Sequence, residues 1–184
     1  VGLRNLTQYV FEDGQRISVS TLDEASFSTD TTPIKLFSFD GPTSLSTTIV
    51  AALNQLGHSI SVSDGQRPSH KETVLVLDEL TEPLLTRIHD KQWDVLQTLI
   101  SSRAKILWVT HGSQLEVTNP QGALVHGLLR TIRSEDPGLS LTTLDVGDPV
   151  SPQTVTAISA LLKNLASSAV KSPVETEYAE RHGE

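Results

Sequence analysis

From position 34 onward, short apolar runs alternate with longer stretches whose apolar residues recur every three or four positions. Runs over 35–39, 59–63, 73–77, 105–110, 139–146 and 174–180 read as strands. The run at 73–77 is continuously apolar, as a strand buried on both faces should be. The one at 59–63 alternates, and the last reads as an exposed or edge strand. Between them, Leu45, Ile49, Ala52, Leu53 and Leu56 mark one helix, capped by Thr43 or Ser44 and closed by Gly57. A long helix is expected over 81–101, with Leu85, Ile88, Leu96 and Leu99 on one face. Asn119-Pro120 and Ser151-Pro152 each read as a cap followed by a first-turn proline. The helix after Pro120 should turn Leu124, Gly127, Leu128 and Ile132 inward. The one after Pro152 should bury Val155, Ile158, Leu161, Leu162 and Leu165. Strands alternating with helices imply right-handed crossovers. The expected fold is therefore α/β, a Rossmann-like open, mainly parallel sheet with helices on both faces.

The first thirty residues differ. Two runs rich in β-branched and aromatic residues, 6–11 and 17–22, flank Glu12-Asp13-Gly14-Gln15, a hairpin signal. A polar stretch over 23–32 reads as a linker. The expected organisation is a hairpin and linker over 1–30, a Rossmann-like lobe over 34–170 and a strand or linker over 171–184.

Composition narrows the function. The chain has 184 residues, with 14 basic against 22 acidic side chains and a net charge of −8. Phosphate neutralisation drives nucleic-acid binding, so an acidic chain without a basic cluster is not expected to bind nucleic acid or an anionic membrane. No run approaches the roughly 18 apolar residues of a membrane helix. Cysteine is absent, which excludes disulfides, thiolate metal sites and cysteine nucleophiles. A cytoplasmic location fits. Val1 stands in ordinary-looking sequence with no leader before it, so the chain is expected to be a piece of a longer polypeptide.

A Rossmann-like sheet raises the question of a nucleotide. A dinucleotide site needs glycines in the first strand-to-helix turn, so that backbone N–H groups and the helix N-terminus reach the pyrophosphate. Here the turn reads Phe39-Asp40-Gly41-Pro42-Thr43-Ser44. It has one glycine, a proline without a backbone donor, and an aspartate where phosphates would sit. Gly122 and Gly127 have the Walker spacing, but Leu128 and Leu129 follow. Short-chain reductases on this fold pair a tyrosine with a lysine four residues on. Tyr9 is followed there by Asp13 and Tyr178 by His182, so neither makes the pair. His58, His70, His89, His111, His126 and His182 are scattered, with no two at metal-ligand spacing on one helix face. His111 reads as a polar loop residue after a strand, and Ser113 lacks a nucleophile-elbow context. Arg130, Arg133 and Glu135 read as a solvated or ion-paired helix face. Trp93 and Trp108 could be ligand platforms, and Trp108 fits a core position better. No catalytic, cofactor-binding or metal residue is expected, and no cofactor.

One stretch resembles a known family. Ile106-Leu107-Trp108-Val109-Thr110-His111-Gly112, then Asn119 through Pro137 with Gly127-Leu128-Leu129-Arg130 at its centre, then Leu144-Asp145-Val146, is similar to the structural half of a ketoreductase in type I polyketide synthases. Thr131-Ile132-Arg133-Ser134-Glu135 after the arginine resembles the fungal highly reducing type. The tail from Val174 to Gly183 resembles the segment leading to an enoylreductase, and the hairpin the segment leaving a methyltransferase region. The resemblance implies a truncated, non-catalytic pseudo-ketoreductase that binds no cofactor. It would brace the catalytic ketoreductase lobe and adjoin the enoylreductase and methyltransferase domains of the same chain. It assigns no catalytic residue. The helices carrying Leu85–Leu99 and Leu124–Ile132 would supply part of the docking surface. An NADPH-dependent reductase with a diverged turn and a free-standing interaction protein are the competing readings.

Overall fold

A computed structural model describes residues 7–9, 16–18, 33–63, 67–70, 72–166 and 175–183. Strands β1 (Thr7–Tyr9) and β2 (Arg16–Ser18) pair antiparallel, Thr7 opposite Ser18, as the hairpin signal predicts. Six further strands form one sheet. They are β3 (Ile34–Phe37), β4 (Ile60–Val62), β5 (Thr73–Val76), β6 (Lys105–His111), β7 (Leu141–Val146) and β8 (Glu177–Glu180). Their order is β4-β3-β5-β6-β7-β8, and every neighbouring pair is parallel. In the doubly wound dinucleotide order, two strands lie outside the first on one side. Among the described residues only β4 does, so the order is the other doubly wound one, and the sheet is an open, all-parallel, Rossmann-like one.

Period-two alternation sorts the strands into two cores. Ile34, Leu36, Leu75, Leu107, Val109, Leu144 and Val146 face α1 (Ser44–Gln55) and α4 (Pro152–Ala166). Phe37, Val74, Val76, Ile106, Trp108 and Leu141 face α2 (Asp90–Ser101) and α3 (Ala123–Glu135). Trp108 is fully buried there, its ring centroid 5.8 Å from that of Phe39. None of the described helices is long and apolar enough to cross a membrane.

Two caps stand where the sequence puts them. Thr43 Oγ1 accepts from the Ser46 N–H at 3.1 Å and Ser46 Oγ accepts from the Thr43 N–H at 2.8 Å, a reciprocal box that starts α1. Gly57, at φ +90°, ends it. Ser151 Oγ accepts from the Thr154 N–H at the start of α4.

Three expectations need correction. In place of the long helix over 81–101 stands one short 3-10 turn, Leu84–Thr86, preceded by another at Asp78–Leu80 and followed by α2 from Asp90. Pro83 takes an extended conformation that no helix continues through. His89 and Gln92 then form a capping box that begins the helix anew. In α3 the inward residues are Val125, His126 and Leu129, while Leu128 and Ile132 sit half-buried at the margin of the core. Leu124 is 50% exposed and Gly127 faces open space. The stripe is displaced because His126, polar on paper, points inside. A 3-10 turn (Pro120–Gly122) also stands between Asn119 and α3, and Asn119 makes no side-chain cap.

Candidate functional site

An open α/β sheet binds ligands at the carboxyl ends of its strands, where the winding direction reverses. Here that point lies between β3 and β5, and side chains of the chain itself occupy it. Asp78, just after β5, accepts from the Phe39 backbone N–H at 3.0 Å and from Ser38 Oγ at 2.9 Å. Across the same turn, Gln92 Nε2 donates to Asp40 Oδ2 at 2.5 Å, tying α2 to the loop after β3. Glu79 is 2% exposed; its Oε1 accepts from the Leu84 N–H at 2.9 Å, and its Oε2 has no hydrogen-bond partner among the described residues. Burial pushes its carboxyl up to about 8, so it is neutral at pH 7. Burial also raises Asp78, against its bonds from Phe39 and Ser38.

These features do not fit the pyrophosphate of a dinucleotide. The Phe39 N–H is taken by a carboxylate, Pro42 has none, and the Thr43 and Ser46 N–H groups are used by the cap. Asp40 and Asp78 add negative charge where phosphate charge would come.

A second polar cluster lies on the α2/α3 side at the ends of β6 and β7. Thr110 and Asp145 point from their strands toward α3, and the β6–α3 loop folds back so that Ser113 and Gln114 join them. Asp145 is fully buried and accepts from Thr110 Oγ1 (2.7 Å), Ser113 Oγ (2.6 Å) and the N–H groups of Ser113 and Gln114 (2.9 and 3.0 Å). It also pairs with the Arg181 guanidinium. Burial opposes its charge, but the bonds from Ser113, Arg181 and Thr110 outweigh burial and hold it below the ordinary carboxylate range. His126 Nε2 lies 3.0 Å from both Thr110 Oγ1 and Ser113 Oγ. Burial lowers its basicity, against the pull of Asp145 and Glu177.

Serine, histidine and aspartate thus meet, but in a different wiring from a nucleophilic triad. In a triad the carboxylate holds the imidazole, and the imidazole takes the serine proton. Here the carboxylate takes the serine hydroxyl directly. The other ring nitrogen, Nδ1, faces the Gln114 amide nitrogen at 3.0 Å. That amide can only donate, so Nδ1 accepts, Nε2 carries the proton, and His126 has no lone pair left for Ser113. Ser113 is also buried. The arrangement secures the loop after β6 and presents no nucleophile.

The sequence-singled residues fall in different places. His111 ends β6, half-buried, and is not a loop residue. Trp93 is 42% exposed on α2. Tyr178 packs at the margin of the α1/α4 core, and burial raises its phenol. The side chain of Tyr9 lies outside the described residues. Arg130 and Arg133 are ion-paired, across the sheet to Glu177 on β8. Sequence reasoning missed Asp78, Glu79, Asp145 and His126 as a group. Thr110 and Asp145 carried a signal: polar residues inside apolar strands require partners. Among the described residues, no three His, Asp or Glu side chains stand together as a metal site would need.

The model of a family described as "HRPKS sdrA-like, NAD(P)-binding Rossmann-fold domain" matches residues 43–183. The chain is 39% identical over 153 residues to the highly reducing polyketide synthase apmlA of Arthrinium phaeospermum, a match covering 83% of this chain and 6% of that protein. It is 34% identical over 185 residues to a highly reducing polyketide synthase of Eupenicillium brefeldianum, covering 99% and 8%. It is 38% identical over 154 residues to the highly reducing polyketide synthase claI of Penicillium crustosum, covering 82% and 7%. The chain therefore spans less than a tenth of the length of these relatives.

Proposed function

Because this chain belongs to the HRPKS sdrA-like family of NAD(P)-binding Rossmann-fold domains, we propose that it is the non-catalytic structural lobe of the ketoreductase in a fungal highly reducing polyketide synthase. The observation that carries this reading is the filled switch point: Asp78 occupies the Phe39 N–H that a pyrophosphate would need. The lobe keeps the doubly wound architecture and puts its own acids where a coenzyme would lie. Its role is to brace the catalytic ketoreductase lobe, beside enoylreductase and methyltransferase domains of the same cytoplasmic chain.

The family description favours a second reading, an NADPH-dependent reductase with a diverged turn. That reading requires Asp78 to release the Phe39 N–H when the coenzyme enters.

Bracing needs an apolar contact. Leu128 and Ile132 pack on their own sheet, so aspartates there would report folding rather than docking. Among the described residues, Leu124 on α3 and Trp93 on α2 are large apolar side chains of those two helices that remain exposed. Leu124→Asp changes an exposed position in the first turn of α3, where an acidic side chain suits the helix dipole. In the intact synthase it is expected to lower ketoreduction roughly fivefold or more, the effect of losing one interface anchor. Acyl transfer and condensation should stay unchanged. Product analysis of the variant synthase checks this. Ketoreduction at the parent rate in a folded variant would contradict the assigned docking face.

A further inference from the structure

Strand β8, like β4, is an edge of the six-stranded sheet; it pairs with β7, and β1 lies beside it. Its own apolar contribution is limited to buried Ala179 and part-buried Tyr178. Among the described residues, its charged side chains add a dense set of contacts that no other strand has. Glu177 Oε1 accepts from Arg130 Nε at 2.8 Å and Arg133 Nη2 at 2.5 Å, and its Oε2 accepts from Arg130 Nη2 at 2.5 Å and Gln114 Nε2 at 3.3 Å. Arg133 Nη1 also donates to the carbonyls of Leu141 and Thr176. Glu180 accepts from Thr154 Oγ1 at 3.1 Å and from the Gly183 N–H at 2.8 Å. Arg181 pairs with Asp145 and donates to the carbonyls of Asp145 and Leu115.

We infer that residues 175–183 form a charge-latched strap that opens as a unit while β3–β7 stay folded, and that its opening uncovers the Thr110–Ser113–His126–Asp145 cluster. This does not depend on the function proposed above. Opening exposes little apolar surface, and it returns Arg133, Glu177 and Arg181 to water, Arg130 being half exposed already. The desolvation of three charges, which the closed strap must offset by pairing, is recovered. Removing any strand from β3 to β7 would instead open both apolar cores, so the strap belongs to the low end of the local-stability range. Arg181 is the group that covers Asp145, and Gln114 links the imidazole to Glu177, so the same opening strips the cluster of its cover.

Native-state hydrogen exchange of the chain, read by NMR, tests this with Glu177→Gln. The amide keeps the shape and leaves half-buried Arg133 without its carboxylate, a penalty that falls on the closed state only. The amides of Tyr178, Ala179 and Glu180 should exchange at least about tenfold faster than in the parent. Those of Ser113 and Gln114 should accelerate with them. Those of Leu107, Trp108 and Val109 should stay within about twofold. A common acceleration of all these amides, or of none, would overturn the strap; acceleration of β8 without Ser113 and Gln114 would overturn its role as a cover. Should the variant fail to fold, exchange of the parent chain in low urea decides. The β8 amides must then show an opening less steeply urea-dependent than that of β6, and one shared isotherm would overturn the inference.

Discussion

Replacing Asp145 with alanine is expected to destabilise the chain by on the order of 3–5 kcal/mol, the usual effect of breaking a buried charge pair. The loss is large because one carboxylate serves many donors. Thr110 Oγ1, Ser113 Oγ, the N–H groups of Ser113 and Gln114 and the Arg181 guanidinium all end on it. Alanine leaves the Ser113 and Gln114 N–H groups without this acceptor in a dry site and takes the carboxylate from Arg181, which keeps its carbonyl partners. The loss should appear as a lower urea midpoint with an unchanged slope, and for a chain of this size as a fall of roughly 6–20 °C in Tm. Asp136→Ala provides the comparison. Asp136 pairs with Arg103 at the surface, where both side chains are well exposed, so its loss should be under about 1 kcal/mol. Equal losses at the two positions would mean that the buried cluster does not fix the junction of β6 and β7.

Glu79 sets the pH dependence. Its carboxyl titrates at about 8 in the folded chain against 4.5 as the ordinary value. Between those pH values the folded chain binds more protons than the unfolded one, so stability falls as pH rises. Below 4.5 both states are protonated and Glu79 has no effect. At pH 7 the lost stability is on the order of 3 kcal/mol. Asp78, also raised by burial, acts in the same direction. Asp145 and Glu177 act oppositely, since both are held below the ordinary range and lose their contribution as pH falls through their folded values. His58 and His126, both lowered by burial from 6.5, also lose stability as pH falls below that value, so the decline on raising pH above 6.5 is the part that Glu79 and Asp78 set. Glu79→Gln keeps an acceptor for the Leu84 N–H and cannot ionise. The variant should be more stable than the parent at pH 7 to 8 and should have a flatter profile from pH 5 upward. Urea midpoints at pH 5, 7 and 8 check this, and parallel profiles for the two proteins would rule it out.

Much of the frame is legible in the sequence because it is written in local patterns. The alternation of apolar runs with helical stripes gives the six parallel strands. Thr43 and Ser151 cap helices because a hydroxyl beside an orphan N–H is a local matter. Gly57 closes α1 for the same kind of reason. What the sequence hides is long-range and polar. Arg130 and Arg133 read as an ordinary helix face, yet their partner Glu177 lies 47 and 44 positions away. His126 breaks the α3 stripe only if its partners on β6 and the following loop are unknown. The break at Pro83 has a local signal in the proline itself, but Glu79 reaching the Leu84 N–H across it is a contact that no periodicity encodes. At the switch point, one glycine and a proline already point away from a phosphate cradle. That Asp78 takes the Phe39 N–H becomes visible only when β3 and β5 lie side by side.

The most direct measurement is a titration of the chain with NADPH, following nicotinamide fluorescence together with the backbone amide resonances of Phe39 and Gly41. The filled switch point predicts no saturable change up to about 1 mM coenzyme, an affinity too weak to matter, with Phe39 still bonded to Asp78. Saturation at micromolar NADPH with shifts at Phe39 and Gly41 would contradict it and restore the chain to the coenzyme-using reductases.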